Sequence, residues 1–329
     1  MDPSLPRDIF TIGDSDTFRE LALKVFHFQA GQNETYGSFL RAFGVDHTTI
    51  REVEMIPFLP VEFFKTHRVI CRGREPEEVF ESSGTSRMTP AKHFVADLAL
   101  YRESFTRGFS YFYGDPGNYC ILALLPSYLE RHGSSLIYMM DQLIRLSRHQ
   151  DSGFYLHNLA DLAEVLRKRS QDGHPTLLMG VSFALLDLAE QFPMELGKQV
   201  TVMETGGMKG RRKELIRAEL HGILCEAFGL GSVHSEYGMT ELLSQGYSRG
   251  EGLFRAPPWM RVLVRDPNDP LTLTGPDQGG GLNIIDLANL FSCSFIATGD
   301  LGKVYSDGSF EVLGRFDQAD IRGCNLLVT

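Results

Sequence analysis

The sequence predicts an α/β protein: a doubly wound, largely parallel sheet flanked by helices, followed by a small β-rich subdomain. Three observations carry this expectation. The chain has 329 residues, 43% hydrophobic and 22% charged, a globular composition with length enough for two domains. Its middle third alternates short apolar runs with amphipathic stretches, the rhythm of strand and crossover helix. After about Phe254 the runs shorten and are broken by Pro, Gly, Asn and Asp.

The elements follow in order. Thr17-x-x-Glu20 has the form of a capping box, and Phe18, Leu21, Ala22, Val25 and Phe26 then fall on one helical face. A second short helix is expected from about Tyr36 to Phe43, stopped by Gly44. Ile56-Pro57-Phe58-Leu59-Pro60 cannot be regular helix, because each proline removes a donor and restricts the residue before it. Strands are then expected at 119–125, 176–181, 199–204 and near 232–234, with helices at 135–147, 159–169, 183–191 and 212–228. Ligands of such sheets sit beyond the carboxyl ends of the strands, which singles out 126–128, 205–207 and 236–241. Further strands are expected at 261–264, 282–285 and 310–312, with Asp307-Gly308 as a tight hairpin turn. The expected division is an α/β core at 1–252, the β-rich subdomain at 253–317 and a short tail at 318–329.

Composition narrows the function. Lys and Arg number 32 against 42 Asp and Glu, a net charge of −10, which disfavours a nucleic-acid binder. The five cysteines are widely spaced with no CxxC, so neither a disulfide scaffold nor a zinc ribbon is expected. No signal peptide is visible at the N-terminus and no apolar run approaches a membrane span. A cytoplasmic protein is the expectation.

Four local patterns carry chemistry. Ser82-Ser83-Gly84-Thr85-Ser86 sets small hydroxyl residues around a glycine, a composition able to wrap anionic oxygens. It also fits a polar surface turn. Tyr237-Gly238-Met239-Thr240-Glu241 offers a hydroxyl for a phosphate and a carboxylate for Mg²⁺, or simply a strand-to-helix turn capped by Thr240. Thr298-Gly299-Asp300-Leu301-Gly302 offers an acceptor for two ribose hydroxyls, or a β-turn. Gly314-Arg315-Phe316-Asp317 alone is an exposed charged turn.

Together, in this order, the four resemble the core motifs of the adenylate-forming superfamily of acyl-activating enzymes. A closer resemblance lies in Ile56-Pro57-Phe58-Leu59-Pro60-Val61-Glu62-Phe63-Phe64-Lys65-Thr66-His67 and Leu125-Pro126-Ser127-Tyr128, which look like the LuxE-type acyl-protein synthetases, long-chain fatty-acid–protein ligases near the phenylacetate–CoA ligases. The resemblance implies the large N-terminal domain of that superfamily, with its mobile C-terminal lid absent or vestigial, since only Gln318–Thr329 follow Asp317. It implies ATP and Mg²⁺ as cofactors. Ser82, Ser83, Gly84, Thr85 and Ser86 would cradle the β- and γ-phosphates. Gly206, Gly207 and Tyr237 would line the adenine slot, Thr240 would touch the α-phosphate, and Glu241 would hold the metal. Asp300, helped by Arg315, would take the ribose hydroxyls, and Asp317 matches a hinge. Cys324 matches the cysteine that accepts the acyl group, with a small buried thiol as the alternative. No lysine follows Asp317 to serve as the lid lysine; Lys209 is a spare cation.

The expected activity is activation of a carboxylic acid, a fatty acid by the resemblance, to acyl-AMP with release of pyrophosphate, then transfer to a protein thiol. The implied partner is an acyl reductase, acyltransferase or acyl carrier. An acyl- or aryl-CoA ligase and a non-catalytic nucleotide- or acyl-binding scaffold are the alternatives.

Overall fold

The computed structural model describes residues 2–82, 89–126, 133–156, 158–206 and 215–316. These fall into two compact units. The first takes in the chain up to Ser104, Met239–Gln245 and the residues from Arg255 onward; the second is Phe105–Gly238 with Gly246–Phe254.

The first unit opens with α1 (Leu5–Asp8) and α2 (Ser15–Gln32). The start of α2 corrects the capping expectation. Asp14 is the N-cap and accepts the Thr17 N–H at 2.7 Å, while Glu20 pairs with Lys24 at 2.7 Å. An ionised cap beside free N–H groups outbids a hydroxyl. The apolar face is as expected, with Phe18, Leu21, Ala22, Val25 and Phe26 buried. Asn33 caps α3 (Glu34–Ala42) and also donates to Ser292 O at 2.9 Å. The proline-bounded segment forms no regular helix and pairs instead as β1 (Leu59–Pro60), ahead of α4 (Phe63–Thr66). A hairpin of β2 (Glu78–Glu81) and β3 (Lys92–Val95) follows, then α5 (Leu98–Tyr113).

The second unit is the parallel sheet. Its strands β4 (Cys120–Leu124), β5 (Gly153–Phe154), β6 (Thr176–Val181), β7 (Val200–Thr205) and β8 (His234–Tyr237) lie in the order β5-β4-β6-β7-β8. The crossover helices are α6 (Ser135–Ser147), α7 (Leu159–Asp172), α8 (Ser182–Gln191) and α9 (Arg217–Phe228). Strands β4 and β6 are buried along their whole length, as apolar strands covered on both faces must be. The last parallel strand runs further than 232–234. Glu236 and Tyr237 are strand residues, because β7 pairs on one side (Thr205↔Glu236) and antiparallel β9 (Gly246–Ser248) on the other (Glu236↔Tyr247). Pairing on both edges overrides the weak strand preference of glutamate. A short strand, β10 (Leu253–Arg255), comes next.

The chain completes the first unit with an antiparallel meander of β11 (Met260–Arg265), β12 (Gly279–Asp286), β13 (Phe295–Val304) and β14 (Phe310–Arg315). β1 joins β13 in parallel, Leu59 opposite Ile296. The hairpin turn falls at Asp307-Gly308 as expected, with Gly308 at φ +79° and its N–H on Tyr305 O at 2.9 Å. β13 is not among the expected strands and β14 runs past 312, so the Thr298-Gly299-Asp300 and Gly314-Arg315 patterns are strand, not turn. Among the described residues no helix is long and apolar enough to cross a membrane.

Candidate active site

The hydroxyl-rich run lies on the β2–β3 connection. Of its residues Ser82 is described, and it closes the hairpin: its N–H donates to Ala91 O at 2.9 Å and its Oγ accepts the Ala91 N–H at 2.8 Å. Ser83, Gly84, Thr85 and Ser86 lie outside the described residues.

Thr240 and Glu241 form a tight turn closed by Leu242 N–H on Met239 O at 3.1 Å. No helix follows; the chain goes on into β9, so the helix-cap alternative is not realised. The turn is clamped from below by residues 286–289. Asp286 accepts the N–H groups of Leu243 and Ser244 at 2.7 and 2.9 Å and the Ser244 hydroxyl at 2.6 Å. Asn289 Nδ2 donates to Glu241 O at 2.8 Å. From β3, the His93 ring sets Nδ1 2.8 Å from Thr240 O. The hairpin that carries the hydroxyl-rich run is thus joined to the Thr240–Glu241 turn by one buried side chain.

Asp300 and Arg315 are cross-strand partners on β13 and β14. The registers slip on both sides here, between Gly281 and Asn283 on β12 and between Leu301 and Gly302 on β13. Such bulges re-aim side chains. Thr298 stabilises this one, donating to Leu282 O at 2.9 Å and accepting the Asp300 N–H at 3.1 Å. Buried Arg265 braces the same place, donating to Leu282 O at 2.8 Å and Thr298 O at 2.6 Å. Gly281 is required beside it, since a Cβ there would sit 2.5 Å from the Arg265 guanidinium carbon. The Arg315 guanidinium folds back so that a Cβ on Gly299 would lie 3.3 Å from its Nη2.

Glu241 feels both partners. It is 6% exposed, and burial pushes its carboxyl up to about 7; the Asp300 charge pushes the same way, and the Arg315 and Lys65 charges oppose it. A buried carboxyl facing a second carboxylate is costly to ionise until a cation arrives. Among the described residues no group of three or more His, Cys, Asp or Glu is placed to hold a metal ion.

In the second unit, Gly206 follows β7 at φ +68° and accepts the Ser182 hydroxyl at 2.7 Å. Tyr237 ends β8, buried, with its ring 6.0 Å from Phe254. Beside it Thr205 donates to buried Glu236, whose carboxyl burial pushes up to about 7. Gly207, Lys209, Asp317 and Cys324 lie outside the described residues. The sequence reading missed His93, Asp286, Asn289, Arg265 and Lys65. His93 packs and hydrogen-bonds with partners that lie far along the chain. For Lys65 the signal was present, in the segment carrying the closer resemblance.

The parallel sheet, its crossover helices and the antiparallel meander form a fold shared with solved acid-activating enzymes. The chain is similar to ATP-bound MatB from Rhodopseudomonas palustris (19% identity, TM-score 0.57), covering 75% of this chain and 49% of that one. It is similar also to 2-hydroxyisobutyryl-CoA ligase in its postadenylation state (13%, TM-score 0.69, 95% and 70%) and to O-succinylbenzoate coenzyme A synthetase, MenE, from Bacillus subtilis (18%, TM-score 0.50, 74% and 51%). It spans about half the length of the MatB structure. Among curated proteins none matches. Residues 13–329 match the acyl-protein synthetase family, LuxE, and the chain belongs to that family.

Proposed function

We propose that this chain uses MgATP to convert a carboxylic acid, a fatty acid in particular, to acyl-AMP and pyrophosphate, and then passes the acyl group to a protein thiol. The observation that carries the reading is the meeting of Glu241, Asp300 and Arg315 in one field, in a chain of the acyl-protein synthetase family.

In this reading each residue has a task. Asp300, aimed by the bulge, accepts the ribose hydroxyls, with Arg315 beside it. Ser82, Ser83, Gly84, Thr85 and Ser86 take the β- and γ-phosphates, and Thr240 donates toward the α-phosphate. Gly206, Gly207 and Tyr237 hold the adenine, and Asp317 serves as the hinge. Glu241 would hold Mg²⁺, which supplies charge neutralisation when two anions must approach. The substrate carboxylate attacks the α-phosphorus, an acyl O–P bond forms, and the P–O bond to pyrophosphate breaks. A thiolate, Cys324 being the candidate, then attacks the acyl carbonyl and AMP leaves. Most of the rate comes from position and electrostatics.

The test is pyrophosphate exchange over a panel of carboxylic acids, followed by mass spectrometry of the protein. Carboxylate-dependent exchange with acyl label on the wild type but not on Cys324→Ser supports the whole reading. Exchange with label only on added CoA moves the chain to the CoA ligases. ATP binding without exchange leaves a non-catalytic scaffold.

A further inference from the structure

We propose that His93 and Asn289 are positioning residues of this site: the pair fixes the direction in which the Glu241 side chain leaves the backbone and sets its distance from the β2–β3 hairpin. The proposal rests on the adenylation reading above. His93 is 0% exposed and Asn289 1%. Asn289 is oriented without ambiguity. Its Nδ2 donates to Glu241 O at 2.8 Å and Cys293 O at 2.9 Å, so its Oδ1 is the atom turned to His93 Nε2, at 2.9 Å. The other ring nitrogen of His93 lies 2.8 Å from Thr240 O, so both ring nitrogens face oxygen acceptors and the ring donates to both only when both carry a proton.

The two anchored carbonyls are consecutive. Holding Thr240 O fixes the peptide plane that enters Glu241, and holding Glu241 O fixes the plane that leaves it. A Cα between two fixed planes has its φ and ψ set, and with them the Cα–Cβ direction. The direction in which the Glu241 side chain leaves the backbone is therefore set before any ligand binds. Both anchors are themselves held. Phe64 of α4 packs edge-on to the His93 ring at 5.7 Å. The Asn289 main chain donates to Asp286 O at 3.0 Å and accepts from Gln29 Nε2 at 3.0 Å. A buried polar bracket of this kind is costly unless fully satisfied, and its bonds end on the residues assigned to the phosphate and the metal.

The experiment compares His93→Leu, His93→Gln, Asn289→Ala and Asn289→Asp in the full chain, reading kcat and KM for ATP in pyrophosphate exchange beside thermal melts. His93→Leu and Asn289→Ala are expected to lower kcat about 100-fold, the scale of an ångström-level misplacement, with KM for ATP little changed. His93→Gln, which keeps a donor for Thr240 O, is expected to recover much of that loss. Asn289→Asp keeps the side-chain shape but sets an acceptor against Glu241 O and Cys293 O, so it tests the bracket should His93→Leu fail to fold. Folded variants with wild-type kcat, or a His93→Gln no better than His93→Leu, would overturn the proposal. A wild type that exchanges with no acid would remove the adenylation reading itself, and that result is read on a different sample.

Discussion

Glu241 is a carboxyl held near the midpoint of its titration at physiological pH. Burial raises it to about 7, and a metal ligand must be ionised to bind. Pyrophosphate exchange should therefore climb with pH through about 7, and added Mg²⁺ should move that limb to lower pH; a limb indifferent to Mg²⁺ would show that Glu241 does not hold the metal. Glu241→Gln should cost about 100-fold in exchange, the scale for removing one preorganised charge-stabilising group. The Lys65 charge lowers the same carboxyl, so Lys65→Met should move the limb upward, and an unmoved limb would place the ammonium elsewhere. On the proposed ribose role, Asp300→Ala would remove two charge-assisted hydrogen bonds, so KM for ATP should rise by roughly 10- to 100-fold. A normal ATP requirement would end that assignment.

At the scale of elements, the Thr240–Ser244 segment has no helix or long strand of its own and borrows its order from the turn after β12. Asp286 takes the N–H groups of Leu243, Ser244 and Ala288. Asp286→Ala would leave those buried donors unmet, at a cost of roughly 3 kcal/mol or more, read as a lower denaturant midpoint. A midpoint within error of wild type would show that the turn holds itself. Much of this level was legible in the residues. The α2 face, the α6 and β6 limits and the Asp307-Gly308 turn follow from spacing within a few residues. Asp14 and Thr17 are both good caps for α2, and the charge on Asp14 decides between them.

Across the whole molecule, buried acids and the His234 imidazole pull stability in opposite directions. Burial raises Glu236 and Glu241 from 4.5 to about 7 and Asp286 from 3.8 to about 6. Their contribution is full below the ordinary carboxylate range and is lost as pH rises through those values. Burial lowers His234 from 6.5 to about 4, so its contribution is full above 6.5 and is lost as pH falls through about 4. Glu236→Gln, which keeps an acceptor for Thr205, should raise stability at pH 8 by roughly 3 kcal/mol and leave it nearly unchanged at pH 4. Melts across that range check it: a wild-type loss at pH 8 that is undiminished in Glu236→Gln would assign the slope to other groups.

The residues by themselves determined the α/β class, most of the longer helices, half of the strands among the described residues and the order of the four motifs, because periodicity, capping and turn chemistry act over a few neighbours. The tertiary structure decided where β8, β13 and β14 end, which bulge aims Asp300, and what holds Glu241. Those outcomes depend on partners far along the chain: His93 meets Thr240 across 147 residues and Asn289 across 196. A bond of that reach leaves no repeat in the local pattern, since its geometry exists only once the β2–β3 hairpin and the β12–β13 turn have packed together.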